Sequence, residues 1–304
     1  MNITSKISAD LKLDIEYINR IVSRSRYYYK DYRIPKKHTG YRNISQPNPE
    51  LKTLQYWVVQ NILSKLPVSS SASAYQKGSS IKKHAYIHNK SKFLLHADIS
   101  SFFPSIHPNH LEGILRDNKD IFDTLSLDLE ESIDEINKIC FKSDSLSIGA
   151  VSSPIISNII MYSFDTKMMD YCNTHSLTYS RYADDIYISS EKYLSTDILQ
   201  YLTDELEKQG FRINRSKTRF YSPKYRRQVT GLIITNNNQI SIGTNRKKQI
   251  KKMIYDKLVH KIGDSDQILG YLSFLKDVEP HTYNNMIIKY SKYCSGDIIE
   301  EIRK

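Results

Sequence analysis

Apolar and polar positions change period several times along the chain, and each change predicts an element. Residues 1–40 open with helical spacing through Leu11, Ile15, Ile18 and Ile21–Val22. A helix from Pro49 to about Leu66 follows, with Leu51, Leu54, Trp57–Val58, Ile62 and Leu66 on its apolar face and Trp57 in the core. The run from Lys92 to Ile99 is mostly apolar and ends in an acid, which reads as a buried strand delivering Asp98 at its C-terminal end. Residues 117–135 are helical in pattern and rich in Asp and Glu, so an outer surface is expected for them. A helix opening at Pro154 is expected to bury Ile155, Ile159, Tyr162 and Met169. In Thr178–Ser190, two short runs rich in Tyr, Ile and Thr flank Ala183-Asp184-Asp185, predicting a tight hairpin. Thr196–Gln209 looks helical and stops at Gly210. Phe211–Phe220, carrying Asn214 and Lys217, is strand-like, and Val229–Thr235 and Gln239–Ile242 predict short strands. From Thr244 to Lys304 the pattern is helical throughout, and Ile250, Met253, Ile254 and Leu258 form the buried stripe of the first helix.

The hairpin is where chemistry enters. Alternation puts Tyr182 and Asp184 on one side of a strand and Asp185 on the other, but a tip can hold both carboxylates at one rim. Two acids in so apolar a context cost free energy unless a cation or an Arg neutralises them. A solvated Asp-Asp turn and a metal site both fit that pattern. Asp98, at the end of a buried strand, poses the same choice between function and pairing with a Lys or Arg.

Charge narrows the partners. The 304 residues carry 44 Lys+Arg against 33 Asp+Glu, a formal net charge of +11 that favours a polyanion. Arg24, Arg26, Tyr27, Tyr28, Tyr29, Lys30, Tyr32, Arg33, Lys36 and Lys37 interleave charge with rings, which suits a phosphate backbone with unstacked bases; a solvated edge is the plain alternative. Arg42, on an extended segment, offers a fork of donors for a triphosphate. Arg246, Lys247, Lys248, Lys251, Lys252, Lys257 and Lys261 give the first tail helix a basic face able to track a duplex groove. Cys140, Cys172 and Cys294 are far apart and odd in number, predicting a reduced intracellular protein. No apolar run reaches membrane-spanning length and Met1–Asp10 lacks a signal-peptide core, so a soluble, cytoplasmic protein with no membrane partner is expected.

Taken in order, the strand ending at Asp98, the hairpin with Asp184-Asp185 and the segment with Lys217 can build an antiparallel sheet backed by helices, its three acids converging on one edge. Hard oxygen ligands of that kind suit Mg²⁺. Two such ions can activate a primer hydroxyl and stabilise leaving pyrophosphate.

Tyr182-Ala183-Asp184-Asp185 resembles the signature of reverse transcriptases, and the resemblance extends along nearly the whole chain. Arg42–Lys52 is similar to the fingers, Asp98 with Phe102-Phe103 to the first palm motif, and Gly149-Ala150-Val151-Ser152-Ser153-Pro154 to the next. Gly210-Phe211, Asn214 and Lys217-Thr218 continue the series. His84-Ala85-Tyr86-Ile87-His88 and Val229-Thr230-Gly231 resemble segments of the retron type, where both are associated with recognising the enzyme's own structured RNA.

The resemblance implies an α+β right-hand polymerase fold, with fingers, a palm of antiparallel sheet backed by helices, and a C-terminal helical thumb. On that reading residues 1–40 are an N-terminal basic helical segment, 41–97 the fingers with the first palm strand, 98–235 the palm with a helical insert at about 108–142, and 236–304 the thumb. Asp98, Asp184 and Asp185 would hold two Mg²⁺ ions, with Mn²⁺ as a substitute. Lys217 would lie near the pyrophosphate, as a general acid or a simple phosphate contact. Phe103 would be the steric gate against a 2′-hydroxyl, and Arg42, Gly149 and Tyr182 would join it around an incoming deoxynucleoside triphosphate. RNA contacts would come from His84, Ala85, His88, Val229, Thr230, Gly231, Arg246, Lys247 and Lys251.

The implied activity is RNA-directed DNA synthesis on a dedicated noncoding RNA that is both template and primer. Synthesis would start from an RNA 2′-hydroxyl and leave a small single-stranded DNA joined to RNA (msDNA). The enzyme would stay bound to that product and act with an effector or toxin protein in phage defence. The chain departs from the family pattern at Ile148, usually Gln, at Val151, usually Pro, and at His84, usually Asn. A non-catalytic RNA-binding component with the polymerase fold, an intron-type reverse transcriptase and a nuclease are the other readings of the same residues.

Overall fold

The computed structural model describes residues 1–36 and 40–304, so Lys37, the last of the basic and aromatic run, lies outside the described residues. In chain order the elements are α1 (Ile3–Leu11), α2 (Ile15–Ser23), β1 (Tyr29–Pro35), β2 (Tyr41–Pro47), α3 (Pro49–Asn61), α4 (Ile81–Ile87) and β3 (Phe93–Asp98). Next come α5 (Pro108–Asp117), α6 (Asp120–Thr124), α7 (Leu129–Cys140), α8 (Ser153–Ile160), α9 (Tyr162–Thr174), β4 (Thr178–Tyr182), β5 (Asp185–Ser190) and α10 (Asp197–Glu207). The chain ends with β6 (Arg219–Tyr221), β7 (Arg227–Val229), β8 (Leu232–Ile234), β9 (Ile240–Ser241), α11 (Thr244–His260), α12 (Ser265–Val278), α13 (Pro280–Ser291) and α14 (Ile298–Arg303). Among the described residues, no helix is long and apolar enough to cross a membrane.

Polar caps fix where many helices begin. Asp14, Asn48, Ser80, Asp128 and Asp264 each accept a backbone N–H of the first turn of α2, α3, α4, α7 and α12, satisfying donors that have no partner inside the helix. A four-stranded sheet takes its strands in the order β4-β5-β3-β6; β1 and β2 form an antiparallel ribbon, and β7-β8-β9 an antiparallel sheet.

The chain divides into two compact units that do not follow chain order. The first comprises Met1–Lys77, His96–Ile186 and Ser195–Thr218, the second Gly78–Leu95, Tyr187–Leu194 and Arg219–Lys304. The first unit is cored by Leu51, Leu54 and Val58 of α3, Ile136 and Ile139 of α7, and Ile156 and Ile159 of α8. In the second, Ile250, Ile254 and Leu258 of α11 pack with Leu272 and Leu275 of α12 and with Val229 and Leu232 of the small sheet. Met253, expected with that stripe, lies only partly buried at its edge.

Several expectations are corrected. The N-terminal spacing is split between two helices: Ile3, Ile7, Ile18, Ile21 and Val22 are buried, whereas Leu11 and Ile15 are exposed around the link between them. The helix from Pro49 ends at Asn61 and passes into a single 3₁₀ turn at Leu63–Lys65. The helix around Pro154 buries Ile156, Ile159 and Ile160 rather than Ile155 and Ile159, and breaks at Met161; the helix that follows buries Phe164 and Met168 and leaves Tyr162 exposed. Within the acidic stretch, Glu135 turns inward and accepts hydrogen bonds from the Thr4 N–H (2.9 Å) and hydroxyl (2.8 Å). Phe211–Phe220 is not a continuous strand: Ile213 makes an isolated bridge to Ile99, the chain turns through Asn214–Thr218, and β6 begins only at Arg219. Val229–Thr235 is interrupted by a two-residue turn at Thr230-Gly231.

Candidate active site

The predicted hairpin forms, with Ala183-Asp184 as its two-residue tip between β4 and β5. Ala183 takes a left-handed backbone (φ 56°), the conformation such a tight turn demands. Asp184 lies beyond it, and its carbonyl accepts the Ile99 N–H (2.9 Å), so the tip is tied to the end of β3 next to Asp98. The Asp98 carbonyl in turn accepts the Asn214 N–H (2.7 Å), which brings the Asn214–Thr218 turn and Lys217 to the same place.

Each of the three acids meets a different environment. Asp98 is almost fully buried, and both its oxygens accept hydrogen bonds from Lys217 Nζ, at 2.9 and 2.7 Å. Asp185 Oδ1 lies 2.6 Å from His96 Nε2; the carboxylate is the acceptor, so that nitrogen carries the proton. Among the described residues, Asp184 has no such side-chain partner. Burial, and then the neighbouring Asp185 and Asp98 charges, push its carboxyl up to about 6, against weaker relief from its own backbone N–H and from Lys217.

A cavity of about 660 Å³ opens onto these groups within the first unit. Its lining includes Asp98, Asp184, Asn214 and Lys217, together with Lys36, Tyr41, Arg42 and Asn43 and the rings of Phe103 and Tyr75. The Phe103 and Tyr75 rings meet edge to face, with centroids 6.5 Å apart. Phe102 stands behind Phe103 at 5.7 Å and is itself backed by Phe211 at 5.7 Å.

The loop from Ser147 to Ala150 completes the lining. Gly149 sits at φ 116°, and a Cβ there would come within 3.1 Å of Ile44 Cγ2 and the Ser45 carbonyl, so glycine is what lets the loop lie against β2. The Ser45 N–H donates to the Ile148 carbonyl (2.9 Å), and the Val151 N–H donates to buried Gln55 Oε1 (3.2 Å), pinning the loop at both ends.

Arg42, Phe103, Gly149, Asp98, Asp184 and Lys217 all line this one cavity. Tyr182 and Asp185 belong to the hairpin but not to the cavity lining. His96, Tyr75 and Gln55 were not singled out from sequence. His96 was within reach of it, since a residue two before Asp98 on a strand shares its face; the others come from loops or from a helix face that reads as ordinary core.

A divalent cation is tested by the donor set. Among the described residues, no three His, Cys, Asp or Glu side chains are drawn together as a ready-made metal site. The chemistry nevertheless fits: hard carboxylate oxygens come from two adjoining strands, Asp184 carries charge against like charges, and the Lys217 ammonium stands as a cation on Asp98.

The second unit gathers the remaining expected residues into two groups. His84 of α4 and His88, the residue just after that helix, are buried, and their rings pack against Tyr187 at 5.2 and 6.0 Å. Burial, together with the neighbouring His84, holds the His88 imidazole down at about 3, and its Nδ1 pairs with the Ser189 hydroxyl at 2.7 Å. Tyr187 Oη accepts the Thr230 N–H (3.1 Å), which joins Val229-Thr230-Gly231 to the His84–His88 helix. Thr230 is left-handed (φ 45°), unusual for a β-branched residue. Ala85 and Val229 are buried core, so the exposed side chains of this assembly are those of Lys83, Tyr86, Ile87 and Lys90. On α11, Lys251 is exposed, Arg246 lies over the Phe274 ring (5.5 Å) and Lys247 pairs with Glu279 (2.5 Å).

Comparison with known proteins agrees with this geometry. The profile of the family described as reverse transcriptase (RNA-dependent DNA polymerase) matches residues 34–266. The chain is 33% identical over 282 residues to the Retron Ec83 reverse transcriptase of Escherichia coli, covering 89% of each. It is 30% identical to the Retron Ec86 reverse transcriptase of the same organism, covering 96% of this chain and 89% of the relative. Among solved structures, apo telomerase from Candida tropicalis superposes with a TM-score of 0.52 at 12% identity, over 90% of this chain and 61% of that one. At that identity the likeness speaks for the fold alone, which is the right-hand polymerase fold.

Proposed function

From its place in the reverse transcriptase family, to which the chain belongs as an RNA-directed DNA polymerase of the retron type, we propose that it copies part of a dedicated structured RNA into DNA at the cavity beside Asp98 and Asp184. The observation that carries this reading is the meeting of two features there: an acid whose carboxyl is pushed up to about 6 by burial and like charges, in a cavity that Arg42 and Phe103 also line.

Asp98, Asp184 and Asp185 would hold two Mg²⁺ ions, which supply Lewis-acid stabilisation of the charge on a transferring phosphoryl group. The chain's own groups do the rest. Arg42 offers its fork of donors to the triphosphate of an incoming deoxynucleotide. Phe103, braced by Phe102 and Tyr75, puts a rigid ring where a ribose 2′-hydroxyl would have to fit. Lys217, once released from Asp98, carries its ammonium to the phosphates, as a countercharge or as a proton donor to the leaving pyrophosphate.

On the same reading the RNA is both template and primer, and synthesis begins from one of its 2′-hydroxyls. The product is a short single-stranded DNA joined to RNA, held by the enzyme and used with an effector protein in phage defence. Kinship with retron reverse transcriptases supports this, as do the paired His84–His88 and Val229–Gly231 segments and the basic α11. The test is to express the gene with its flanking DNA, purify the protein, and digest the bound nucleic acid separately with RNase and DNase. DNA covalently joined to RNA in wild type and absent from Asp184→Asn is the expected result. RNA without DNA from both proteins would overturn the reading.

A further inference from the structure

Three residues before Asp184, Arg181 is the largest side chain among the described residues to be completely buried. Its guanidinium makes a two-point pair with Asp165 of α9: Nε donates to Oδ1 at 2.8 Å and Nη2 to Oδ2 at 2.7 Å. The Tyr179 hydroxyl donates to the same carboxylate (2.6 Å). Burial works against the Arg181 charge, and the Asp165 carboxylate more than offsets it, so the guanidinium stays protonated.

The remaining nitrogen, Nη1, leaves the pair. It donates to the Ala183 carbonyl at 3.0 Å and to Asn158 Oδ1 at 3.3 Å. Ala183 O belongs to the peptide that leads into Asp184, and the next carbonyl, that of Asp184 itself, is held by the Ile99 N–H. Both peptide groups flanking Asp184 are therefore pinned, one by Arg181 and one by the end of β3 beside Asp98. Asn158 extends the network, because its Nδ2 donates to the Ala74 carbonyl (2.9 Å), immediately before Tyr75, which faces Phe103. The Arg181 backbone adds a second tie to that segment: its N–H donates to Ser71 O (2.9 Å) and its carbonyl accepts from Ser73 N–H (2.8 Å).

A buried ion pair is a poor device for stability alone, since well-packed apolar side chains commonly replace one without loss. What an apolar residue cannot do is fork to a carboxylate, an amide and a backbone carbonyl at once. We propose that Arg181 is a positioning residue: anchored on Asp165, it fixes the left-handed Ala183 turn that presents Asp184 and Asp185, and through Asn158 it sets the Tyr75 side of the nucleotide cavity in register with them. The proposal rests on the polymerase reading of that cavity.

Two variants of the full chain test it. Arg181→Lys keeps a charge beside Asp165 but has no fork to reach Ala183 as well. Arg181→Met/Asp165→Leu removes both charges and leaves no unpaired carboxylate inside. Amide hydrogen exchange, read without metal or nucleic acid, should stay at the wild-type level across α3 and α7 in both variants, yet quicken at Ile99 and through Ala183–Ile186. In Mg²⁺-dependent extension of a primer on RNA, kcat should fall about 10²-fold at unchanged KM for the primer–template, the loss expected when a catalytic group is misplaced by about 1 Å. Wild-type exchange in the turn, or wild-type kcat from either variant, overturns the proposal. Failure of the wild type to extend any primer counts instead against the polymerase reading, and exchange in the turn still decides the role of Arg181.

Discussion

Two clusters of acids and cations meet at the β4–β5 hairpin, one through Arg181 and the other through Asp184 and Asp185, and they answer their charges differently. Asp165 and Arg181 are sealed from solvent, matched at two points, and completed by Tyr179 and Asn158. Asp98, Asp184 and Asp185 face a cavity or its rim, and share one flexible Lys217, whose side chain is 58% exposed, and one His96. In the sealed cluster every charge has a fixed partner and nothing is left for a ligand. In the open one Asp184 carries more negative charge around it than the chain neutralises, which is the condition a bound cation would relieve. The same residue types are thus fully compensated in one place and only partly compensated in the other.

That contrast can be broken in four ways, the largest effect first. Asp184→Asn should lower RNA-templated DNA synthesis by at least about 10³-fold, the scale of several kcal/mol of lost charge stabilisation, with RNA binding retained. Single-turnover primer extension beside a gel-shift titration measures both. Asp165→Ala should act on folding instead, costing about 3–5 kcal/mol because it strands the Arg181 charge in the interior. Denaturant unfolding would show it, and an unchanged midpoint would mean that the sealed pair is not a frame.

The third concerns pH. The Asp184 carboxyl lies at about 6 in the folded chain against 3.8 for a free one. The folded state therefore binds this proton more tightly than the unfolded state does, and ionising Asp184 opposes folding. The penalty is absent below about pH 4, grows as pH rises, and is complete above about pH 6, where it amounts to about 3 kcal/mol. In metal-free buffer Asp184→Asn should accordingly be more stable than wild type at pH 8 and equal to it near pH 4, as read by urea unfolding at both. The fourth and smallest effect is on sugar choice. Phe103→Ala should relax discrimination against ribonucleotides roughly 10–100-fold, as expected for opening one wall of a pocket. Competing deoxy- and ribonucleotide incorporation would measure it, and Phe103→Tyr should retain most of the selectivity.

Much of the site was legible in the sequence because it is local. An acid pair between two β-rich runs, and an apolar run ending in Asp98, declare themselves within a dozen residues, and the α11 stripe through Ile250, Ile254 and Leu258 is plain periodicity. What escaped depends on distance along the chain. Arg181 reads as a polar residue in a strand, and its partner sits 16 residues away on a helix with nothing in the spacing to join them. Tyr75 reaches Phe103 only because the loop before it is bonded to β4. His84 and His88 look like RNA contacts by motif, yet their rings go inside to meet Tyr187, so the side chains left exposed there are those of Lys83 and Tyr86 on α4 and Lys90 just after it. The break at Met161 also mattered, since a single helix drawn through it places Tyr162 and Met169 inside, where α9 instead buries Phe164 and Met168.

The open cluster is tested most directly by Mn²⁺ binding, followed by electron paramagnetic resonance with an RNA–DNA duplex ending in a dideoxynucleotide and with the next deoxynucleotide present. Wild type should bind Mn²⁺ in competition with Mg²⁺, Asp184→Asn should lose most of that binding, and Arg181→Lys should weaken it without abolishing it. Binding unchanged in Asp184→Asn would contradict the account, for it would place the cation somewhere other than the acids that the chain leaves uncompensated.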